Sequence, residues 1–194
     1  MNERSFSPTP LNKRSLSDEI VFQIKEMIWL TQEAKYGIWN YISAHFSMIT
    51  KVEGANYTGE SIAFQFEDSE IDETIKPNVM ARIVDVQRFF EEYSFQFEDE
   101  KLKLYFRISD PAAEWNNGIF HVTWKDGKTF CEKVDSHGAA PLIEMDIQTL
   151  TTMLMGYKRP TYLYNNDRIR MDYYLLPTLE SLIPPEKPYF SDYF

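Results

Sequence analysis

Apolar residues occupy every second position from residue 20 onward, and this alternation predicts a β-strand that carries Ile20, Phe22 and Ile24 on one face. From Met27 to Leu30 the run is apolar on both faces, which is typical of a central strand that is covered above and below. Thr31 follows and is predicted to cap a helix, because its hydroxyl can accept a backbone hydrogen bond there. A strand followed by a helix is therefore expected at this point. Residues 1–19, which precede it, predict a disordered tail.

A helical stripe follows Thr31. Glu33 lies in the predicted first turn, where a negative charge is favourable. Gly37 costs about 1 kcal/mol in a helix interior; close packing or a ligand would account for it, and close packing is the more common cause. The apolar positions recur at helical spacing, at Ala34, Ile38, Ile42, Phe46 and Ile49.

Two further strands are predicted, over Lys51 to Tyr57 and over Glu60 to Glu67. Residues 20–81 would then hold two or three strands and one main helix, and an apolar edge and face of the sheet would remain uncovered. We therefore expect residues 20–81 to be part of a larger domain. We also expect this surface to bind a partner, so that the chain is a homo- or hetero-oligomer.

Residues 82–194 predict a second unit, a mostly antiparallel sheet with helices after it. Asp126-Gly127 separates two alternating runs, and this pair favours a hairpin turn because both residues tolerate positive φ. Asp146 is predicted to cap a helix, and Pro177 to kink or restart the helix over Tyr173 to Ile183. A short helix is predicted over Val84 to Tyr93, and strands over Leu102 to Ile108, Ile119 to Trp124, Lys128 to Val134 and Leu142 to Met145. The predicted fold class is α+β.

Composition restricts the classes of function. The chain has 30 acidic and 20 basic residues, a formal net charge of -10, which argues against a nucleic-acid partner and is compatible with a cationic substrate. Cys131 is the single cysteine, so we expect a structural thiol and no zinc site. No apolar run approaches the roughly 20 residues that span a membrane, no signal core is present, and the cytoplasm is the expected compartment. The phosphate-binding glycine motifs are absent, so we expect no bound cofactor or metal in these residues.

Two segments stand out as candidate sites. Trp115 lies in the turn-rich connection Glu114 to Gly118, which is either the rim of a pocket with an aromatic wall or a loop around a packed tryptophan. The segment Pro188 to Phe194 carries four aromatic residues among its last six, whereas most termini are polar. Burial of that much apolar surface favours a docked tail, which would place the terminal carboxylate in a defined position.

Several runs of the sequence resemble the enhanced-intracellular-survival family of acetyltransferases. The resemblance covers residues 20–194, nearly the whole chain outside the tail. The runs that carry it are Ile24-Lys25-Glu26-Met27, Trp39-Asn40-Tyr41-Ile42-Ser43-Ala44-His45, Arg82-Ile83-Val84-Asp85-Val86, Asp146-Ile147-Gln148-Thr149-Leu150 through Pro160, and Pro188 to Phe194.

The resemblance implies a division of the chain. Members of that family have an N-terminal GNAT domain, a second degenerate GNAT domain and a sterol-carrier-like domain. By that likeness, residues 20–81 correspond to the later part of the second GNAT domain, and residues 82–194 to the sterol-carrier-like domain. The family binds acetyl-CoA in the first domain, on an Arg-Gly-x-Gly-x-Ala type loop that this sequence lacks. We therefore expect the chain alone to be inactive and the acetyl-CoA-binding half to be missing from it.

The resemblance also implies site residues. In the family, the terminal carboxylate reaches the active site of the first domain, and Phe194 matches that terminus. We expect Phe194 to act through its carboxylate, and Asp192, Tyr193 and Trp115 to contribute to the binding of a cationic amine.

Three functional interpretations remain open. In the leading one, the chain is the C-terminal part of an acetyl-CoA-dependent amine N-acetyltransferase, active when another chain supplies the acetyl-CoA-binding half. The alternative is a non-enzymatic sterol-carrier-like binding or interaction module, in which Met153 and Met155 would line a tunnel for an apolar ligand. The third is an inert remnant that folds poorly alone.

Overall fold

The computed structural model describes residues 19–55, 62–66, 71–74, 80–96 and 102–188. The chain divides into two compact units, residues 1–65 and residues 66–194. The predicted tail falls outside the described residues except for Glu19. In the described residues, no helix is both long enough and apolar enough to cross a lipid bilayer.

The first unit contains a parallel pair of strands joined by a helix. Strand β1 covers Val21–Ile24, helix α1 covers Gln32–Ser43, and strand β2 covers Lys51–Gly54. The two strands pair in parallel, as a strand–helix–strand connection requires. The cap predicted at Thr31 is confirmed, because its side-chain oxygen accepts a hydrogen bond from the Ala34 amide at 3.2 Å.

Two expectations for the first unit are wrong. The apolar run Met27 to Leu30 is not a strand: β1 ends at Ile24, and Ile28 and Leu30 are 68% and 95% exposed. The pairing of β1 with β2 stops at Ile24, and the chain then turns towards the cap of α1. Gly37 is not closely packed either, since a Cβ built there meets no atom within 4 Å.

The prediction of a strand over Glu60 to Glu67 is also wrong in the part that the structure describes. Residues Ala63–Gln65 form a 3-10 helix, and Glu60, Ser61 and Glu67 lie outside the described residues. Many apolar side chains of this unit are exposed, as expected for a sheet with few strands. They are Ile20, Val21, Ile28, Leu30, Tyr36, Tyr41, Phe46, Met48, Val52 and Phe64.

The second unit is built on a four-stranded sheet. Its strands are β3 at Lys103–Ser109, β4 at Gly118–Lys125, β5 at Lys128–Val134 and β6 at Leu142–Asp146. Their order is β5-β4-β3-β6, in which β3 pairs with β4 and β4 with β5 in antiparallel fashion, while β3 and β6 run parallel. The prediction of a mostly antiparallel sheet is confirmed.

The β4–β5 hairpin turns where the sequence predicts it. Asp126 and Gly127 have φ values of 51° and 72°, the left-handed conformation that this dipeptide adopts more easily than others. The hairpin register places Val122 opposite Cys131 and Ile119 opposite Val134.

Helices cover one face of this sheet: α2 at Val86–Glu92, α3 at Ile147–Leu154, α4 at Pro160–Asn165 and α5 at Leu176–Leu182. The cap predicted at Asp146 is confirmed, since its carboxylate accepts from the Thr149 amide at 2.6 Å. The restart predicted at Pro177 is confirmed as well. A 3-10 turn ends at Leu175, and α5 begins there with the proline in its first turn.

Packing between the sheet and the helices forms one continuous core. Strand β3 alternates between exposed and buried positions, so that Leu104, Phe106 and Ile108 all point inward. The largest side chains that are almost wholly buried include Trp124, Phe90, Phe106, Phe120, Ile143, Leu150, Met153 and Leu179. Each such side chain contributes about 2 kcal/mol when it leaves water. The mixed α+β architecture expected from the sequence is therefore confirmed.

Candidate functional site

The structure describes one of the four predicted site residues. Phe194, Asp192 and Tyr193 lie outside the described residues, and their roles stay predictions. Trp115 lies in a 3-10 helix, Glu114–Asn116, between β3 and β4.

Trp115 has one edge fixed and most of its surface open. Its Nε1 donates a hydrogen bond to the Val84 carbonyl at 2.8 Å, while its own carbonyl accepts from Lys133 Nζ at 3.2 Å. The residue is nevertheless 61% exposed. A fixed and exposed indole can contact a ligand, and it also ties the connection between β3 and β4 to residue 84. The predicted contact of Trp115 with a substrate stays a prediction.

A buried carboxylate organises the same connection. Asp110 has no exposed surface, and both its side-chain oxygens accept hydrogen bonds from Arg82 Nη2, at 2.7 and 2.8 Å. Asn116 Nδ2 and the Ala112 amide add hydrogen bonds at 2.9 and 3.1 Å. The Asn117 side chain pairs with the backbone of Asp110 in both directions, at 2.7 and 2.6 Å. The sequence of this segment predicts a turn and gives no sign of the cluster, because Arg82 is 28 residues away.

The electrostatics of Asp110 keep it ionised. Burial pushes its pKa upward, but the hydrogen bonds from Asn116, Arg82 and the Ala112 amide, together with the positive charge of Arg82, outweigh burial. The pKa of Asp110 therefore lies below its usual value. A carboxylate with this many donors positions the backbone and is a poor proton acceptor.

Cys131 is also unsuited to act as a nucleophile. Burial is the largest cause that raises the pKa of its thiol to about 12, and the negative charges of Glu91, Asp85 and Glu132 add to it. The thiol stays protonated at neutral pH and packs against the core. This agrees with the structural role expected from the sequence. Within the described ranges, no group of three His, Cys, Asp or Glu side chains could hold a metal ion.

An open cleft of about 470 Å³ lies at the end of α2. Its lining combines two aromatic rings, a carboxylate, a hydroxyl group and a proline, from Phe89, Tyr93, Glu92, Ser94 and Pro184. The rings of Phe89 and Tyr93 lie 5.7 Å apart and are inclined by 30°. Aromatic faces beside a carboxylate suit a positively charged group. The cleft is therefore the best candidate, among the described residues, for contact with a cationic ligand.

Burial favours the neutral form of the Tyr93 phenol in this cleft. Burial is the main cause that raises the pKa of Tyr93; the charge of Arg159 lowers it, and the charge of Glu186 raises it again. The hydroxyl group is therefore protonated at neutral pH and can donate a hydrogen bond. Glu92 is held by Arg88 in an exposed ion pair at 2.8 Å, which a ligand cation could replace at small cost. The run of aromatic and acidic residues from Phe89 to Tyr93 is a sequence signal for this cleft, although Glu91-Glu92 alone is a common surface feature.

A second depression, of about 250 Å³, lies beside Arg82. It is lined by Met80, Ala81, Arg82, Ile147, Gln148 and Thr151. Thr151 Oγ1 already donates to the Ile147 carbonyl at 2.8 Å and accepts from the Ile83 amide at 3.3 Å. The volume of this depression is below the range of about 300–1,000 Å³ that is usual for small-molecule pockets, so the depression is the weaker candidate.

The first unit does not show the features of an acetyl-CoA site in its described part. Phosphate-binding helix starts present free backbone N–H groups after a glycine-rich loop. At the start of α1, Thr31 Oγ1 occupies the Ala34 amide, and Glu33 places a negative charge in the first turn. These residues do not fit the pyrophosphate of coenzyme A.

Two protein families match the sequence. Residues 86–191 match the family described as sterol carrier protein domain. Residues 10–83 match the family described as acetyltransferase (GNAT) domain. No curated protein matches the sequence significantly.

Several solved structures are similar to this chain over most of its length. A protein of unknown function from Enterococcus faecalis V583, described as a probable N-acyltransferase, has a TM-score of 0.75 and 30% identity over 93% of this chain and 45% of its own. A GCN5-related N-acetyltransferase from Anabaena variabilis has a TM-score of 0.65 and 18% identity over 87% of this chain and 42% of its own. Eis1 from Mycobacterium abscessus has a TM-score of 0.64 and 13% identity over 90% of this chain and 43% of its own. At these lower identities the last two show the fold alone. The chain spans less than half the length of each protein.

The hydrogen bonds of Asp110 predict how the stability of the chain depends on pH. Replacing Asp110 with Asn puts an amide, which cannot accept from Arg82 at both atoms, into a buried site. We expect the free energy of unfolding at pH 7 to fall by about 2 kcal/mol. The pKa of Asp110 is lower in the folded state than in the unfolded state. The native chain is therefore more stable than Asp110→Asn by its full amount above the unfolded pKa of about 3.9. This difference in stability is lost as the pH falls through the folded pKa.

Urea unfolding at several pH values between 7 and 2.5 measures this difference. Glu53→Gln is the control, since Glu53 forms an exposed pair with Lys51 and its loss should change stability by about 0.5 kcal/mol or less. A difference between Asp110→Asn and the native chain that stays constant down to pH 2.5 would rule out the ionised form of Asp110 as its source.

The sequence matches and the structure lead to one assignment. The chain belongs to the sterol carrier protein domain family through residues 86–191, and the residues before this domain match a GNAT acetyltransferase domain.

Proposed function

We propose that the chain is the substrate-side part of an acetyl-CoA-dependent amine N-acetyltransferase of the enhanced-intracellular-survival type. The observation that carries this proposal is the alignment of 93% of the chain, at 30% identity, with a probable N-acyltransferase. The same residues match a GNAT domain followed by a sterol carrier protein domain. Acetyl-CoA supplies the acetyl group in GNAT enzymes. In this proposal it is bound by a further GNAT domain outside these residues, because the described start of α1 does not fit a pyrophosphate.

The residues of this chain would bind and orient the amine. A substrate amine is positively charged at neutral pH, and the acidic chain, with a net charge of -10, favours its approach. The cleft of Phe89, Glu92 and Tyr93 offers aromatic faces and a carboxylate for a cationic part of the substrate. The predicted role of Phe194 is to accept a proton from the reacting amine through the terminal carboxylate, and Asp192, Tyr193 and Trp115 are its predicted neighbours at the substrate.

The exposed apolar surface of the first unit favours the presence of a partner domain that covers it. A parallel pair of strands is usually covered on both faces and flanked by further strands. Here β1 and β2 form a pair, and Val21 and Val52 are 41% and 40% exposed. Burial of such surface gains about 25 cal/mol per Å². We propose that further GNAT strands, from another domain or another chain, cover this surface.

The core gives little support to a lipid tunnel. Met153, which would line it, has no exposed surface and belongs to the continuous core with Leu150 and Leu179. A bound fatty acid would need these side chains to move apart. Native mass spectrometry that found a stoichiometric lipid would favour the binding-module alternative.

The first test separates the amine side from the acetyl-CoA side. Calorimetry on the 194-residue chain should detect no acetyl-CoA binding tighter than about 1 mM, because the described start of α1 does not fit a pyrophosphate. A chimera would join the part of the E. faecalis protein outside the aligned region to the start of this chain. It should release coenzyme A thiol in the presence of spermidine. Micromolar binding of acetyl-CoA by this chain alone would contradict the division of roles.

The chimera also needs an internal control for the cleft. Glu92→Gln should raise the KM for spermidine about tenfold, because a cation loses its nearby carboxylate, and should leave the KM for acetyl-CoA unchanged. Glu53→Gln, in the first unit, should change neither value. An inactive chimera with a folded sterol-carrier domain would count against the proposed function.

The predicted role of Phe194 gives a second test. Adding two glycines after Phe194 moves the terminal charge and adds bulk, so kcat of the chimera should fall about 100-fold while the melting temperature stays the same. Phe194→Tyr keeps the chain length and the carboxylate, and should retain most of the activity. Equal activity of the extended and native forms would show that the carboxylate has no role.

A further inference from the structure

The segment from residue 183 to residue 188 leaves the last helix and leads towards the end of the chain. Ile183 is buried, while Glu186, Lys187 and Pro188 are exposed. Prolines at 184, 185 and 188 prevent a continuation of α5. An exposed segment without helix or strand pairing needs other contacts to keep one course.

Arg159 supplies the first of these contacts. Its Nη1 donates to the carbonyls of Ile183 and Pro184 at 2.9 and 2.8 Å, and its Nη2 donates to the Glu180 carbonyl at 2.6 Å. Its Nε binds the Glu180 carboxylate at 2.7 Å. One guanidinium thus satisfies three backbone carbonyls at and beyond the end of α5, where helical hydrogen bonds are absent.

The Glu180 carboxylate holds Arg159 in this position. Burial raises the pKa of Glu180, but the hydrogen bonds from Arg159 and from the amide and hydroxyl of Thr161 outweigh it and lower the pKa below its usual value. The ion pair is therefore intact at neutral pH. The planar fork of donors on Arg159 is fixed in orientation at both ends.

Gly156 supplies the second contact. It ends α3 in a left-handed conformation with φ of 71°. The Gly156 amide donates to the Met153 carbonyl at 3.0 Å and the Tyr157 amide to the Thr152 carbonyl at 3.1 Å, the hydrogen bonds of a Schellman cap.

Space at Gly156 is needed as well as conformation. A Cβ at this position would overlap the carbonyl oxygen of Glu186 and lie 3.7 Å from Pro188 Cδ. The segment therefore rests directly on the glycine.

We propose that the turn from Met155 to Pro160 sets the course of the segment from residue 183 to residue 188, with Gly156 and Arg159 as its positioning residues. Both lie in the same turn, and they hold opposite ends of the segment from residue 183 to residue 188. The proposal rests on the proposed function in one respect, namely that the residues after Pro188 must reach the substrate amine. Gly156 and Arg159 act through that segment.

Two glycines allow a matched test of the steric contact. Gly127 has φ of 72°, close to the 71° of Gly156, but a Cβ at Gly127 meets no atom within 4 Å. Gly156→Ala and Gly127→Ala therefore place a side chain at nearly the same positive φ, and the first alone displaces the segment. The full chain is labelled with ¹⁵N, and backbone order parameters are measured by NMR. In Gly156→Ala the values for Glu186 and Lys187 should fall from about 0.8 to below about 0.6, while Gly127→Ala leaves them unchanged.

Arginine variants test the hydrogen-bonded end of the segment. Arg159→Lys cannot reach all three carbonyls with one ammonium group and should lower the same order parameters. Arg88→Lys is the control, because Arg88 pairs with Glu92 on the surface. Unchanged order parameters in both Gly156→Ala and Arg159→Lys would overturn the proposal.

Activity distinguishes positioning from a purely structural role. In the chimera, Gly156→Ala should lower kcat about tenfold without changing the KM for acetyl-CoA, and Gly127→Ala should retain native kcat. A mobile segment with unchanged kcat would overturn the positioning role. If the native chimera has no activity, the proposed function fails, whereas the order parameters still decide whether the turn holds the segment.

Discussion

Burial of one face of the four-stranded sheet is the constraint on which the second unit depends. The inward side chains of β3 and β4, among them Phe106 and Trp124, leave water only when the helices cover them. Packing in this core holds α2, α3 and α5 in place against the sheet. The candidate cleft lies at the end of α2, and the turn at Gly156 lies at the end of α3. The core thus determines the positions of both features, although neither belongs to it.

Polar contacts hold segments of the second unit that lie outside the apolar core. Asp110 with Arg82, and Glu180 with Arg159, each join segments that are distant in sequence, and each carboxylate has a pKa below its usual value. Because these pairs supply hydrogen bonds to backbone groups, they fix loop and terminal segments outside the apolar core. The proposed function uses the loops and ends of a rigid domain, as binding sites commonly do.

Local signals in the sequence predict local structure here, and long-range pairings escape them. The hairpin at Asp126-Gly127, the caps at Thr31 and Asp146 and the restart at Pro177 depend on neighbouring residues, and all are confirmed. The apolar run at Met27 misleads because a strand also needs a partner. The parallel pairing of β3 with β6, the Asp110 cluster and the contact of Gly156 with Glu186 join distant residues. The domain boundaries and the roles of Phe194, Asp192, Tyr193 and Trp115 stay predictions.

In the proposed function, this chain contacts the amine and a further domain binds acetyl-CoA. The most direct measurement is an NMR titration of the 194-residue chain with spermidine and, separately, with acetyl-CoA. We expect spermidine to shift the amide signals of Phe89, Tyr93 and Ser94 in a saturable way, because a cation enters the cleft. We expect no saturable shift with acetyl-CoA. Saturable shifts with acetyl-CoA, or unchanged amide signals of the cleft residues at millimolar spermidine, would contradict this division of roles.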